Sequence, residues 1–125
     1  MTVTTEQLWH DLFALSGDIR YVALRAGDDL EVRQRAGISQ ASSSESDHYE
    51  EWLVNPTLLT LVRERGRIDC GGLEFVVIRY GNFFQLVHPV KAGHLSMAFE
   101  PSGDPVSLVP RIRDVLTRQQ LWPVI

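Results

Sequence analysis

Residues 73–80 read LEFVVIRY, and this run constrains the fold more than any other feature. Its β-forming residues predict a strand, along which successive side chains point to opposite faces. Leu73, Phe75 and Val77 then share one face, while Val76, Ile78 and Tyr80 share the other. A strand that is apolar on both faces belongs to a sheet covered on both faces. Gly81-Asn82 is a tight hairpin signal, and residues 83–90 supply the partner strand. Lys91-Ala92-Gly93 turns the chain into a third strand over 95–100. Phe83-Phe84, directly after the hairpin turn, must place one ring on each face.

Upstream, Leu8, Trp9, Leu12 and Phe13 recur with helical period, and Thr4 and Gln7 have capping-box spacing. Gly17 is the expected stop. Residues 20–26 predict a strand, 27–29 a turn and 30–35 a second strand. There Leu30 and Val32 face one way and Glu31, Arg33 and Arg35 the other, the pattern of a half-exposed edge. Residues 39–46, SQASSSES, carry nothing to bury and predict a mobile loop. Residues 47–53 predict a helical turn or two. A fresh helix over 57–65 follows, with Asn55 as N-cap, Pro56 in the first helical position and Val54 stapled onto Leu59. It carries Leu58, Leu59, Leu61 and Val62, and Gly66 ends it. Gly71-Gly72 suits a turn with positive φ. The last helix is expected to start at Ser107 as N-cap, with Pro110 in its first turn and Leu108, Val109, Ile112, Val115 and Leu116 as its apolar stripe. The order helix, two strands, helix, three strands, helix predicts one α+β domain over 1–125. Its architecture is a five-stranded antiparallel sheet with helices on both faces.

With 125 residues, 44% of them hydrophobic, the chain has enough apolar surface for one core. No apolar run approaches the ~20 residues of a membrane span, and the opening MTVTTEQ has no secretion-signal pattern. One cysteine gives no internal disulfide. Twelve basic against 16 acidic residues leave a net charge of −4, which argues against a duplex-binding surface. Arg63, Arg65 and Arg67 sit where a helix dipole favours cations. The expectation is a cytoplasmic protein without nucleic-acid partner or membrane span.

For chemistry, His10, His48, His88 and His94 show no metal-ligand spacing. The cluster Asp47-His48-Tyr49-Glu50-Glu51 is expected to be a solvated helix face, and no metal or other cofactor is expected. Cys70, beside Gly71-Gly72, is the residue a cysteine-dependent enzyme would use, with His88 or His94 as base. Asp69 disfavours a thiolate there, and the favoured expectation is a structural thiol with no catalytic residues. No phosphate loop or nucleophile elbow is present. Trp52 is a candidate partner surface. So is Trp122, which with Val124 and Ile125 forms an apolar tail over 120–125 that must pack on a neighbour, within the chain or outside it.

The strand Tyr21-Val22-Ala23-Leu24 with its GDD turn, the hairpin around Gly81-Asn82 and the closing strands FQLVHPV and LSMAF together resemble the roadblock family of small domains. The likeness runs from Thr5 to Gln119, in a layout shared with profilin-like domains. It implies a non-enzymatic homodimer that regulates or scaffolds a small Ras-like GTPase. It also implies self-association through residues 57–65 and 73–80, with Leu58, Leu59, Val62, Phe75, Val76 and Ile78 at the interface. A small-molecule sensor with a profilin- or PAS-like sheet is the alternative from another class. That reading requires a roomy apolar chamber with His88 or Tyr80 pointing inward.

Overall fold

In the computed structural model, residues 5–37 and 44–123 are described. The elements run α1 (Thr5–Phe13), β1 (Ile19–Ala26), β2 (Asp29–Gln34), α2 (Ser44–Tyr49), a π-helical turn (Glu50–Val54), α3 (Asn55–Asp69), β3 (Val76–Arg79), β4 (Phe84–Val90), β5 (Gly93–Phe99) and α4 (Pro105–Arg118). All strand pairs are antiparallel and the sheet order is β2-β1-β5-β4-β3. This is the α+β architecture expected from the sequence. Thr4 and most of the serine-rich stretch lie outside the described residues, but Ser44 to Ser46 are helical and not loop.

The two faces of the sheet are built differently. On one, α1 and α4 bury Leu8, Leu12, Ile112 and Leu116 against Val22, Leu86, Leu95, Met97 and Phe99, which makes the main core. On the other, Tyr21, Ala23 and Ala98 form a small cluster with Leu30, Val32 and Phe83. The paired phenylalanines divide between them as the alternation requires, Phe84 to the main core and Phe83 to the small one. β2 is the half-exposed edge predicted, although Arg35 just beyond it turns inward. Its guanidinium donates to the carbonyls of Phe13, Ser16 and Ile19 and ties the end of α1 to the sheet.

Three boundaries differ from expectation, each for a local reason. Asn55 is not an N-cap, because its own backbone is helical (φ −65°, ψ −45°) and the helical run continues from α2 through the π turn into α3. Pro56 offers no N–H to the carbonyl four residues back, and its ring would press on that carbonyl. Widening the preceding turn relieves the conflict: the Asn55 N–H bonds Glu50 O, five residues back. Gly66 does not end α3, which continues to Asp69. Instead its carbonyl accepts from the Cys70 and Gly72 N–H groups, and a Cβ there would meet Gly72 and Leu73 backbone atoms at 3.2 Å. Gly71 and Gly72 take φ of +81° and +91°, the turn their pairing implies. In α4 the N-cap is Asp104, whose side chain accepts from the Ser107 N–H. Pro105 therefore occupies the first turn, and Pro110 lies inside the helix on its exposed side.

β3 is shorter than the run 73–80. In its register with β4 the residue opposite Glu74 is Pro89, which has no N–H to extend the ladder. β3 is also an edge strand, so Val76, Val77 and Ile78 are only half-buried although helices cover both faces of the sheet.

Gly93 opens β5 where β1 passes closest. A Cβ at this position would lie 1.8 Å from Arg25 O. Gly93→Ala is expected to lower stability in urea unfolding by about 1–3 kcal/mol or more. Gly17→Ala, with open space around it, should change stability by less than about 1 kcal/mol. Equal effects of the two would remove the close approach from the account.

Candidate functional site

The π turn carries two adjacent acids, and the structure turns them toward the sheet. Glu51 is fully buried. Its Oε2 accepts from the Tyr21 hydroxyl on β1 at 2.7 Å, and its Oε1 accepts from Asn55 Nδ2 at 2.9 Å and from His94 Nε2 on β5 at 2.7 Å. Asn55 Nδ2 also reaches Ser96 Oγ, which accepts from Gln85 Nε2 as well. Gln85, His94, Ser96, Glu51 and Asn55 are all buried, so the network joins β1, β5 and β4 to the helical run by direct hydrogen bonds. Two of its atoms, Asn55 Oδ1 and His94 Nδ1, have no hydrogen-bond partner among the described residues. Burial, followed by the Glu51 charge, pushes the Tyr21 phenol far above its ordinary range. Glu50 accepts from the Tyr80 hydroxyl at 3.2 Å. Burial and then the Glu51 charge raise its pKa, while burial and the Glu50 charge push Tyr80 up to about 12.

The sequence pattern missed this network. Asp47 and Glu51 are buried and Glu50 is half-buried, while His48 and Tyr49 are exposed, so the acidic cluster is not a solvated face. The available signal was the i, i+4 spacing of Glu51 and Asn55, which puts two polar groups on one helix face. Among the described residues no group of three His, Cys, Asp or Glu side chains could hold a metal ion.

The predicted site residues separate into two groups. Leu59 is turned inward and buried, so it belongs to the protomer's own core and not to an outer interface. Phe75 packs onto the main core from the α1–α4 side. Val76, Ile78, Leu58 and Val62 are half-buried, while Leu61 and Ile68 on α3 are 63% and 70% exposed. Trp52 is at the surface, with the Arg25 guanidinium 4.9 Å from its ring centroid. Trp122 has a place within its own chain: it joins the main core, meets the His88 ring edge-on at 4.9 Å and lies under the Arg113 guanidinium. The tail therefore packs intramolecularly at this residue.

Cys70 is exposed just after α3. Among the described residues its thiol bonds Arg65 and Asp69, whereas His88 and His94 are buried on opposite faces of the sheet. The structure does not bring the proposed cysteine–histidine pair together. His88 Nε2 accepts from Arg113 Nε at 2.9 Å, which leaves the proton on Nδ1 to donate to Pro89 O at 2.8 Å. Burial holds its pKa below the ordinary value of 6.5, so the neutral ring is the folded form at neutral pH.

Two outcomes are expected. Glu51→Ala leaves buried donors on Tyr21 and His94 unpaired, at about 1–3 kcal/mol each, and urea unfolding should show a larger loss than for Tyr21→Phe. A Glu51→Ala protein of wild-type stability would remove the network from the account. For His88 the folded pKa is depressed, so its contribution to stability is complete above the unfolded value of about 6.5 and is lost as pH falls below it. The ring's NMR titration midpoint should lie below that value, and a midpoint above it would contradict the buried neutral state.

Neither a family model nor a curated protein sequence matches this chain.

Proposed function

We propose that the protein is a non-enzymatic, homodimeric interaction module that regulates or scaffolds a small Ras-like GTPase in the cytoplasm. The supporting observation is a half-buried apolar edge strand combined with a helix that carries more apolar surface than the sheet covers. β3 has β4 on one side only, and its outer N–H and C=O groups meet no other strand. An apolar edge of this kind invites pairing with another chain. On α3, Asn55, Leu59 and Gly66 face inward, while Leu58, Leu61 and Ile68 recur at helical spacing on a second stripe. Contiguous apolar surface on a small domain marks an interaction site. A two-fold axis beside β3 satisfies both needs at once, pairing strand with strand and helix with helix. The GTPase as partner rests on the roadblock resemblance of element order and closing strands.

Sedimentation at micromolar concentration is expected to give twice the mass of one chain. Leu61→Glu, at an exposed position of the protomer, should keep the circular-dichroism spectrum and yield monomers, because the carboxylate would be buried unpaired in the dimer. Val62→Glu should act in the same direction. A wild-type monomer, or a folded Leu61→Glu dimer, would overturn the proposed interface. Affinity capture from the native host should recover a Ras-like GTPase, and its reproducible absence would leave the module without the proposed partner.

A further inference from the structure

A cleft of about 670 Å³ opens between α3 and the turn joining β4 to β5. That size is ordinary for a small-molecule site. Leu59, Leu73, Val90 and Trp122 supply apolar walls, Arg25 and Arg63 supply nitrogen donors, and His94 lines the same cleft. No carboxylate is among the described lining residues, in a chain whose acids outnumber its bases.

The polar groups of this cleft are held in place yet left without partners. His94 is 1% exposed, and its Nε2 is committed to Glu51, which is fixed in turn by Tyr21 and Asn55. Its Nδ1 has no hydrogen bond to any described residue. Arg25 is held against the face of Trp52, and its buried Nε also has no hydrogen bond among the described residues. Arg63 makes no hydrogen bond or ion pair with any described residue, whereas Arg65 and Arg67 on the same helix pair with Asp69 and Glu64. Two guanidinium groups thus share one largely apolar cleft with no carboxylate among its described lining residues. Guanidinium groups prefer carboxylate and phosphate oxygens, with which they form parallel charged hydrogen bonds.

We propose that this cleft binds a small organic anion, with its carboxylate or phosphate head at Arg25 and Arg63 and its apolar body against Leu59, Leu73 and Trp122. The cleft is lined by residues of a single protomer. Octanoate, octyl phosphate and octanol share one apolar body and differ in the head group, which makes them suitable probes for calorimetry and for ¹⁵N–¹H spectra. At least one of the two anions should bind once per chain and shift the Trp122 indole resonance, and the tighter of them identifies the head group. Octanol should bind at least about tenfold more weakly, as should that anion to the Arg63→Gln protein, since each loses a charged hydrogen bond. Arg63 is exposed, so Arg63→Gln should retain the wild-type melting curve. The proposal is overturned if octanol binds as tightly as the anions, if Arg63→Gln leaves anion affinity unchanged, or if neither anion binds at millimolar concentration.

Discussion

Glu51 holds its carboxylate wholly out of water, where an uncompensated charge would be too costly to keep. Its three donors come from β1, from β5 and from the next helical turn, so satisfying them settles where the helical run crosses the sheet. The apolar contribution on this face is small, a cluster around Tyr21, Ala23 and Ala98 together with Leu59 and Val87. Hydrogen bonds are directional where apolar contacts are not, so this face gains a defined geometry in place of bulk burial. The opposite face, with α1 and α4 on a continuous apolar layer, supplies most of the hydrophobic stabilisation.

The division of labour explains which parts of the structure were legible in the sequence. Periodicity reports burial of apolar side chains, and the main core is made of them. The strands around Val22, Leu86 and Met97, the stripe Val109–Ile112–Val115–Leu116 and the sharing of Phe83 and Phe84 between faces all follow from spacing alone. Glu51, His94, Ser96 and Asn55 gave no such signal, because polar residues are read as solvated unless their partners are known. Those partners lie 30 to 43 residues away for Tyr21 and His94. The boundary at Asn55-Pro56 failed for a related reason. Proline usually marks a helix start, and only the tertiary pull on Glu51 and Asn55 makes a continuous, widened run the better solution.

The same network links the core to the surface on which the proposed function depends. It orients His94 in the wall of the cleft, and it sets the height of α3 over the sheet. Stability, the proposed dimer geometry and access to the proposed ligand cleft therefore share one set of buried hydrogen bonds.

The π turn also has an angular meaning. In an α-helix each residue advances about 100° around the axis, and the wider turn before Pro56 absorbs a residue without that full rotation. α3 is thereby set out of phase with α2, which allows Leu59 and Gly66 to meet the sheet while Leu58 and Leu61 look away from it. Winding the same residues as an unbroken α-helix would swing the inner and outer stripes of α3 around the axis. A chain with every contact residue intact would then present the wrong side of its helix. In this fold the width of that one turn decides which side of α3 faces the sheet.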